Sequence, residues 1–382
     1  MEQGLVYISP LRYPAAKAGS QFSMKSCEAF ADTGLTVELW APGRRYREGA
    51  DPFLFHHVKK NFTLRFIPTI DFVKNGGRLL FGLMSFFFAM GVCARAVAEG
   101  KKNFIFYSHE QFALLLLSLL GTTTFYEIHD FPKDTLLYRL LLRRVTGVVT
   151  TNQWKGDELV KKFGIPQKKV LVVPNAVDIS MFDIQETQKQ AREKLGLSQD
   201  KKIALYTGHL YSWKGVDTLI DAALLLSAEW EVIIVGGTGH DRKVYEEMIE
   251  KKNLHNVRLV GLKPHEEIPL WQRAADVLIL PNTAKEDISK YYTSPVKLFE
   301  YMASRVPIVT SDIPSIRYVV GDDDVLFFEA DNFQSLAQAI VRIGSNLEES
   351  QKRVDSAYTK VQGFSWEKRA NTILAFLREP LE

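Results

Sequence analysis

The chain is predicted to be an α/β protein built from two doubly wound parallel-sheet domains, and three observations predict it. Short β-rich runs alternate with longer helical patterns along the whole sequence. Most of those runs are apolar on both faces, as strands are when helices cover both sides of a sheet. The rhythm also occurs twice, and 382 residues are enough for two substantial cores.

In the first half the strand-like runs are "LVYIS" (Leu5–Ser9), "TVELWA" (Thr36–Ala41), "TLRFI" (Thr63–Ile67) and "FIFYS" (Phe104–Ser108). "TFYEI" (Thr124–Ile128), "GVVTT" (Gly147–Thr151) and "VLVV" (Val170–Val173) complete that set. The second half supplies "IALYT" (Ile203–Thr207), "EVIIVG" (Glu231–Gly236), "VRLVG" (Val257–Gly261), "VLILP" (Val277–Pro281), "PIVTS" (Pro307–Ser311) and "VLFF" (Val325–Phe328). The seam falls near "VVPNAVDISMF" (Val172–Phe182), ahead of the polar run "DIQETQKQAREKLGLSQDKK". This gives domains of residues 1–175 and 176–364, with "FSWEKRANTILAFLREPLE" reading as a closing amphipathic helix over 365–382. In such sheets ligands sit at the carboxyl ends of the strands.

Composition narrows the function classes. Lys plus Arg exceed Asp plus Glu by 48 − 45 = 3, and the basic residues are scattered, which argues against a nucleic-acid partner. Two cysteines, Cys27 and Cys93, make neither a disulfide framework nor a zinc knuckle, so a reducing cytoplasm is expected. The opening "MEQGLVYIS" enters directly into a strand and lacks the regions of a signal peptide. The segment "LLFGLMSFFFAMGVCARAVAEG" (Leu79–Gly100) has an uncharged stretch that ends at Arg95, slightly short of the roughly twenty residues a span needs. A buried helix is expected there. A helix lying on a membrane face, which Phe86 to Phe88 with flanking Arg78, Arg95, Lys101 and Lys102 would suit, is the intermediate case.

Several segments carry chemistry-bearing residues. In "TSPVKLFEYMASRVPIV" (Thr293–Val309), Ser294 reads as an N-cap and Pro295 as the first helical residue. The amides of Val296 and Lys297 would then offer a positive helix end to a phosphate. Glu300, one turn on, could accept two hydrogen bonds from vicinal hydroxyls; a solvated glutamate on a capped helix would look the same. "YTGHLYSWKGVDTLIDAA" (Tyr206–Ala223) follows a strand and places His209 and Lys214 before a helix, cations suited to a diphosphate. A loop lysine in solvent is the plainer alternative. "VIIVGGTGHDR" (Val232–Arg242) sets Gly236 and Gly237 after a strand, where backbone can approach a ligand. Its glycine spacing is not that of a dinucleotide fingerprint.

In the first half, Gly19 lies in a loop expected between the first strand and a helix, and could admit a phosphate. "YEIHDFPKD" puts His129 and Asp130 at a carboxyl edge, where a histidine could bind a sugar hydroxyl or steady developing charge. A structural histidine bonded to backbone is the competing assignment. His109 and Glu110 in "YSHEQF" form a similar, weaker pair. His56 and His57 have adjacent spacing with no further ligand nearby, and are not expected to hold a metal.

Together these segments resemble the family 4 retaining glycosyltransferases of the GT-B fold, the group 1 glycosyltransferases. The features in order are "KAGSQFSMKSCEAFADTGLTVELWAP", "YEIHD", "VVPNAVDISMF", "YTGHLYSWKGVDTLIDA", "VGG", "AADVLILPN", "SPVKLFEYMASRVPIV" and "FSWEKRA". The resemblance implies two Rossmann-like domains facing a cleft, the first binding acceptor and the second a nucleotide-sugar. The final helix is implied to cross back to the N-terminal domain. Position by position, Glu300 matches the ribose carboxylate and Lys214 the diphosphate lysine, while His209 stands where relatives carry arginine or histidine. Gly19 matches a glycine near the phosphates and His129 the cleft histidine near the transferred sugar. Thr293, Ser294, Pro295, Val296 and Lys297 match the segment that holds diphosphate and sugar.

The resemblance implies a metal-independent, retaining transfer from a nucleoside-diphosphate-sugar to an acceptor hydroxyl, with no cofactor. Two positions depart from the pattern: Tyr292 stands where many relatives have a second carboxylate, and Arg305 where a glycine is common. Tyr292 is the best support for the alternative, a non-catalytic nucleotide-sugar-binding scaffold or subunit. The apolar runs Leu79–Val97 and "FALLLLSLLG" (Phe112–Gly121) lie in the acceptor-binding half. They suggest a lipid-linked or membrane-proximal glycan acceptor and a peripheral contact with the inner face of the membrane.

Overall fold

The computed structural model describes residues 4–15, 17–43, 50–69 and 78–379. The chain divides into two compact units, one of residues 1–174 with 366–382 and the other of residues 175–365.

The first unit holds seven parallel strands: β1 (Leu5–Ile8), β2 (Val37–Pro42), β3 (Thr63–Ile67), β4 (Ile105–Ser108), β5 (Thr123–Ile128), β6 (Gly147–Thr150) and β7 (Val170–Val172). Their order across the sheet is β3-β2-β1-β4-β5-β6-β7. Leu5 pairs with Val37 on one side and Ile105 on the other, so the order reverses between β1 and β4. The strands inside the edges, β1, β2, β4, β5 and β6, are buried on both faces, which is why most of their sequences run apolar without alternation, while the edge strand β3 leaves Thr63 and Phe66 exposed. Helix Trp366–Arg378 packs on helix Ala18–Asp32 of this unit, burying Ile373, Leu374 and Phe376.

The second unit holds β8 (Lys202–Thr207), β9 (Trp230–Val235), β10 (Val257–Gly261), β11 (Val277–Leu280), β12 (Ile308–Ser311) and β13 (Leu326–Phe328). The order β10-β9-β8-β11-β12-β13 is again parallel and reverses between β8 and β11. A doubly wound sheet opens a crevice at that reversal, beyond the carboxyl ends of the strands.

Arg305 takes a left-handed φ of 57° just past helix Val296–Ala303, a conformation that favours glycine. Its guanidinium lies 3.6 Å from the Tyr358 ring centroid and 3.4 Å from Asp183, and these contacts offset the backbone strain.

Candidate functional site

In the second unit the candidate residues collect at the reversal between β8 and β11. Beyond β8 the chain turns at Gly208, and the loop after β9 comes up against it. A Cβ on Gly236 would lie 1.8 Å from the Gly208 carbonyl oxygen, so only glycine allows the two backbones to touch. Gly215 has the same constraint, since its Cβ would stand 2.0 Å from the Pro281 carbonyl at the end of β11. Gly237 is seated against Leu210.

The loop between Gly208 and Gly215 carries a column of rings. His209 stacks on Tyr211 at 5.2 Å between centroids, and Tyr211 on Trp213 at 6.1 Å. Tyr206 donates its hydroxyl to the His209 carbonyl at 2.7 Å, fixing the start of the loop. The Lys214 ammonium lies 3.9 Å from the Trp213 ring centroid. Burial, together with the charge of Lys297, pushes the Lys214 ammonium down to about 7, with Glu300 opposing. Partial desolvation, then Lys297 and Lys214, lowers His209 below its ordinary range. Lys214, Lys297 and His209 therefore share one field with the buried Glu300 carboxylate.

That carboxylate is Glu300, on helix Val296–Ala303. Burial would raise its pKa, but Lys297 and then His265 outweigh burial and hold it below the usual carboxylate range. Lys297 donates to Oε2 at 2.8 Å, and His265 Nε2 stands 3.4 Å from Oε1. The expected start of the helix is corrected by one residue. Pro295 is the N-cap with extended ψ of 104°, and Val296 is the first helical residue. The Ser294 hydroxyl does not cap the helix; it lies 3.4 Å from the Asn175 amide, which donates to it, while Asn175 Nδ2 donates to the Ser294 carbonyl at 2.8 Å. Leu298 makes the first bond back, to the Pro295 carbonyl, and the Val296 and Lys297 amides precede it.

Just upstream, Ile288–Tyr292 forms a π-helical turn, closed by Thr293 N–H to the Ile288 carbonyl at 2.9 Å. Ser315 donates to the Ser289 carbonyl, and Ser212 to Glu286, which ties the turn to the Lys214 loop. The turn brings the Tyr292 hydroxyl to 3.5 Å from Asp287 Oδ2.

In the first unit His129 lies beyond β5, half-buried. Its ring meets Phe22 edge-on at 4.8 Å and His109 at 5.6 Å, and Nε2 is 3.9 Å from Glu127. Burial lowers the His129 pKa, opposed by Glu127 and reinforced by Arg369 and Lys155, so the neutral ring is favoured. Glu127 and Arg369 form a fully buried pair, and Arg369 also donates to the Pro174 carbonyl at 3.0 Å. Beneath the loop, Lys155 donates to the His129 carbonyl at 2.9 Å and to Thr151 at 2.6 Å, and burial pushes it down to about 8.

Two first-unit expectations change. Gly19 is not in a loop: it stands exposed in the first turn of helix Ala18–Asp32, where a Cβ would lie 2.9 Å from Leu11. Glu110 is a helix cap, accepting from Ala113 N–H at 2.6 Å and Phe112 N–H at 3.2 Å, with burial raising it to about 7. His56 is buried with Nδ1 2.9 Å from Gln21 Oε1, a structural role.

Sequence reasoning passed over Lys155, His265, Arg369 and the π-helical turn. The partners of the first three lie far off in the chain, and no local signal marks the fourth.

Residues 187–360 match the family model described as glycosyl transferases group 1, and residues 24–181 match that of glycosyltransferase family 4. The chain is 26% identical over 211 residues to the α-D-kanosaminyltransferase of Streptomyces kanamyceticus, covering 54% of this chain and 52% of that protein. It is 24% identical over 211 residues to the lipopolysaccharide core biosynthesis mannosyltransferase LpsB of Rhizobium meliloti, covering 53% and 56%. The chain thus spans about half the length of the curated relatives it matches. Among solved structures, Anabaena HepE in complex with UDP superposes with a TM-score of 0.76 at 16% identity, over 98% of this chain and 99% of that one.

Proposed function

From the premise that this chain belongs to the group 1, family 4 glycosyltransferases of the GT-B fold, we propose that it is a retaining transferase. It moves a sugar from a nucleoside-diphosphate-sugar to an acceptor hydroxyl in the synthesis of a cell-envelope polysaccharide or glycolipid. The observation that carries this is the Glu300 carboxylate, held by Lys297 beside the depressed Lys214 ammonium at the reversal between β8 and β11. One group accepts from paired hydroxyls and the other meets an anion, which together fit the ribose and diphosphate of a nucleotide. HepE was crystallised with UDP and LpsB is a mannosyltransferase of lipopolysaccharide core synthesis, both in keeping with this assignment.

In the reaction, the bond from the anomeric carbon to the β-phosphate oxygen breaks, and its electron pair leaves with the diphosphate. The acceptor oxygen bonds to that carbon on the same face, and its proton passes to the departing phosphate. Lys214, His209 and the helix start after Pro295 stabilise the leaving charge. Gly236 and Gly237 let backbone approach the donor. Neutral His129 bonds a hydroxyl of the transferred sugar. With the leaving charge met by these groups, the reaction needs no metal, and turnover should survive a chelator. The acceptor is a lipid-linked or membrane-proximal glycan, reached by peripheral contact at the cytoplasmic face.

Hydrolysis of a nucleotide-sugar in the absence of acceptor tests the assignment. Slow release of free sugar from one of the uridine, guanosine or adenosine diphosphate sugars is expected. Binding of those donors without any hydrolysis or transfer would favour the non-catalytic scaffold, to which Tyr292 points.

A further inference from the structure

Helix Arg78–Ala98 is expected from its composition to be buried all round, and it is not. Met84, Phe88, Val92 and Ala96 face the core of the first unit. The opposite face presents Leu83, Phe86, Phe87, Met90 and Val97, each about two-fifths to two-thirds exposed. Their spacing of three, four and seven residues draws one apolar stripe along the helix. At 1.5 Å per residue it runs for about 20 Å.

A second helix shares this side of the sheet. Gln111–Leu119 packs against Arg78–Ala98 and also against helix Leu136–Arg144. That last helix buries Leu141 and Leu142 but presents Leu136, 83% exposed, with Leu140 and the arginines Arg139, Arg143 and Arg144. Arg139 is neutralised by a bidentate pair with Asp134. No carboxylate among the described residues pairs with Arg143, Arg144 or Lys102, all of them exposed. An apolar stripe on one helix, with uncompensated cations just past its end and on a helix two along in the same unit, suits an anionic surface whose interior is apolar. No described helix is long and apolar enough to cross a membrane, so such a surface would be met by helices lying along it.

We propose that helices Arg78–Ala98 and Leu136–Arg144 form a single docking face for an anionic lipid bilayer. Phe86, Phe87 and Met90 enter the acyl boundary, while Arg143, Arg144 and Lys102 reach the phosphates. The proposal rests on the membrane-side placement of the acceptor given above, and names the surface and the lipid charge that would achieve it.

Co-flotation of the full chain with vesicles tests this, comparing phosphatidylcholine alone with phosphatidylcholine plus phosphatidylglycerol. Binding to the anionic vesicles is expected, weakened by added salt. The pair Phe86→Glu with Phe87→Glu should reduce it roughly tenfold or more, and Arg143→Glu with Arg144→Glu should abolish its dependence on phosphatidylglycerol. Both variants alter exposed side chains and should keep the wild-type melting temperature. Failure of the wild-type chain to float, or equal flotation of either variant, overturns the proposal. So does a wild-type dimer that Phe86→Glu with Phe87→Glu converts to monomer, because a second copy would then own the stripe. Nucleotide-sugar hydrolysis without vesicles, measured in parallel, reports on the transfer assignment separately: either result can fail while the other stands.

Discussion

Lys297 donates to Glu300 at 2.8 Å from one turn behind it, on a helix whose other contacts are largely core. The pair places an ionised, acceptor-only group at full burial, with His265 against its second oxygen. Hydrogen bonds to a charged partner contribute about 1.5–3 kcal/mol. Glu300→Gln keeps the shape but removes the charge and one acceptor, so nucleoside-diphosphate-sugar affinity should fall about 10- to 100-fold. Isothermal titration measures it, and an unchanged dissociation constant rejects the ribose grip.

Lys214 makes affinity depend on pH. In the free protein its ammonium is pushed down to about 7, by burial first and Lys297 second. A bound diphosphate would raise that value, so binding takes up a proton wherever the pH lies between the free and bound pKa. Affinity should be greatest below about pH 7 and fall as pH rises above it, by at most about tenfold per unit. A nucleotide-sugar is the proper probe, since its diphosphate does not titrate in this range. Lys214→Arg keeps its charge throughout and should lose the slope, whereas Lys214→Ala should lose binding at every pH. A slope that persists in the arginine variant assigns the titration to another group.

The parallel sheets were legible because burial on both faces leaves a plain mark, runs such as "VIIV" with no polar alternation. Glu300 and Lys214 were legible because each lies close in sequence to a strand end or helix start. What escaped depended on distant partners. Ser294 looks like a cap until Asn175, far back in the chain, claims its hydroxyl and carbonyl. Lys155 sits in the polar sequence "NQWKGDEL", yet Gly156 beside it packs so closely on Val172 that the helix lies flush with the sheet and the lysine is fully enclosed. The apolar helix Arg78–Ala98 failed for the opposite reason: hydropathy alone does not say which face has a neighbour.

The Glu127–Arg369 pair locks the C-terminal helix to β5 inside the first unit, with no solvent at either end. Removing one member leaves the other buried and unpaired, at a cost of about 3–5 kcal/mol. Arg369→Met should therefore lower the urea midpoint of unfolding, followed by far-ultraviolet circular dichroism. Adding Glu127→Leu should restore most of the loss, because two apolar side chains carry no desolvation penalty. A double variant as unstable as the single one would locate the cost in the Pro174 contact instead.

Tyr292 stands where the resemblance implies a carboxylate, and the turn that carries it offers a replacement. A π-helical turn aligns residues five apart, so Asp287 is brought to the Tyr292 hydroxyl at 3.5 Å. The same turn is tied by Glu286 to Ser212 in the Lys214 loop, and it leads directly into Thr293 and the helix start. A phenol and a carboxylate side by side can donate to and accept from sugar hydroxyls, which a lone carboxylate cannot. If the donor sugar lies there, Tyr292→Phe and Asp287→Asn should each change kcat/KM between sugars on a common nucleotide by about tenfold. Affinity for the nucleoside diphosphate alone should stay within about twofold of wild type, since neither residue meets it. Equal losses for all sugars and for the bare nucleotide would mean that the turn only supports the Lys214 loop.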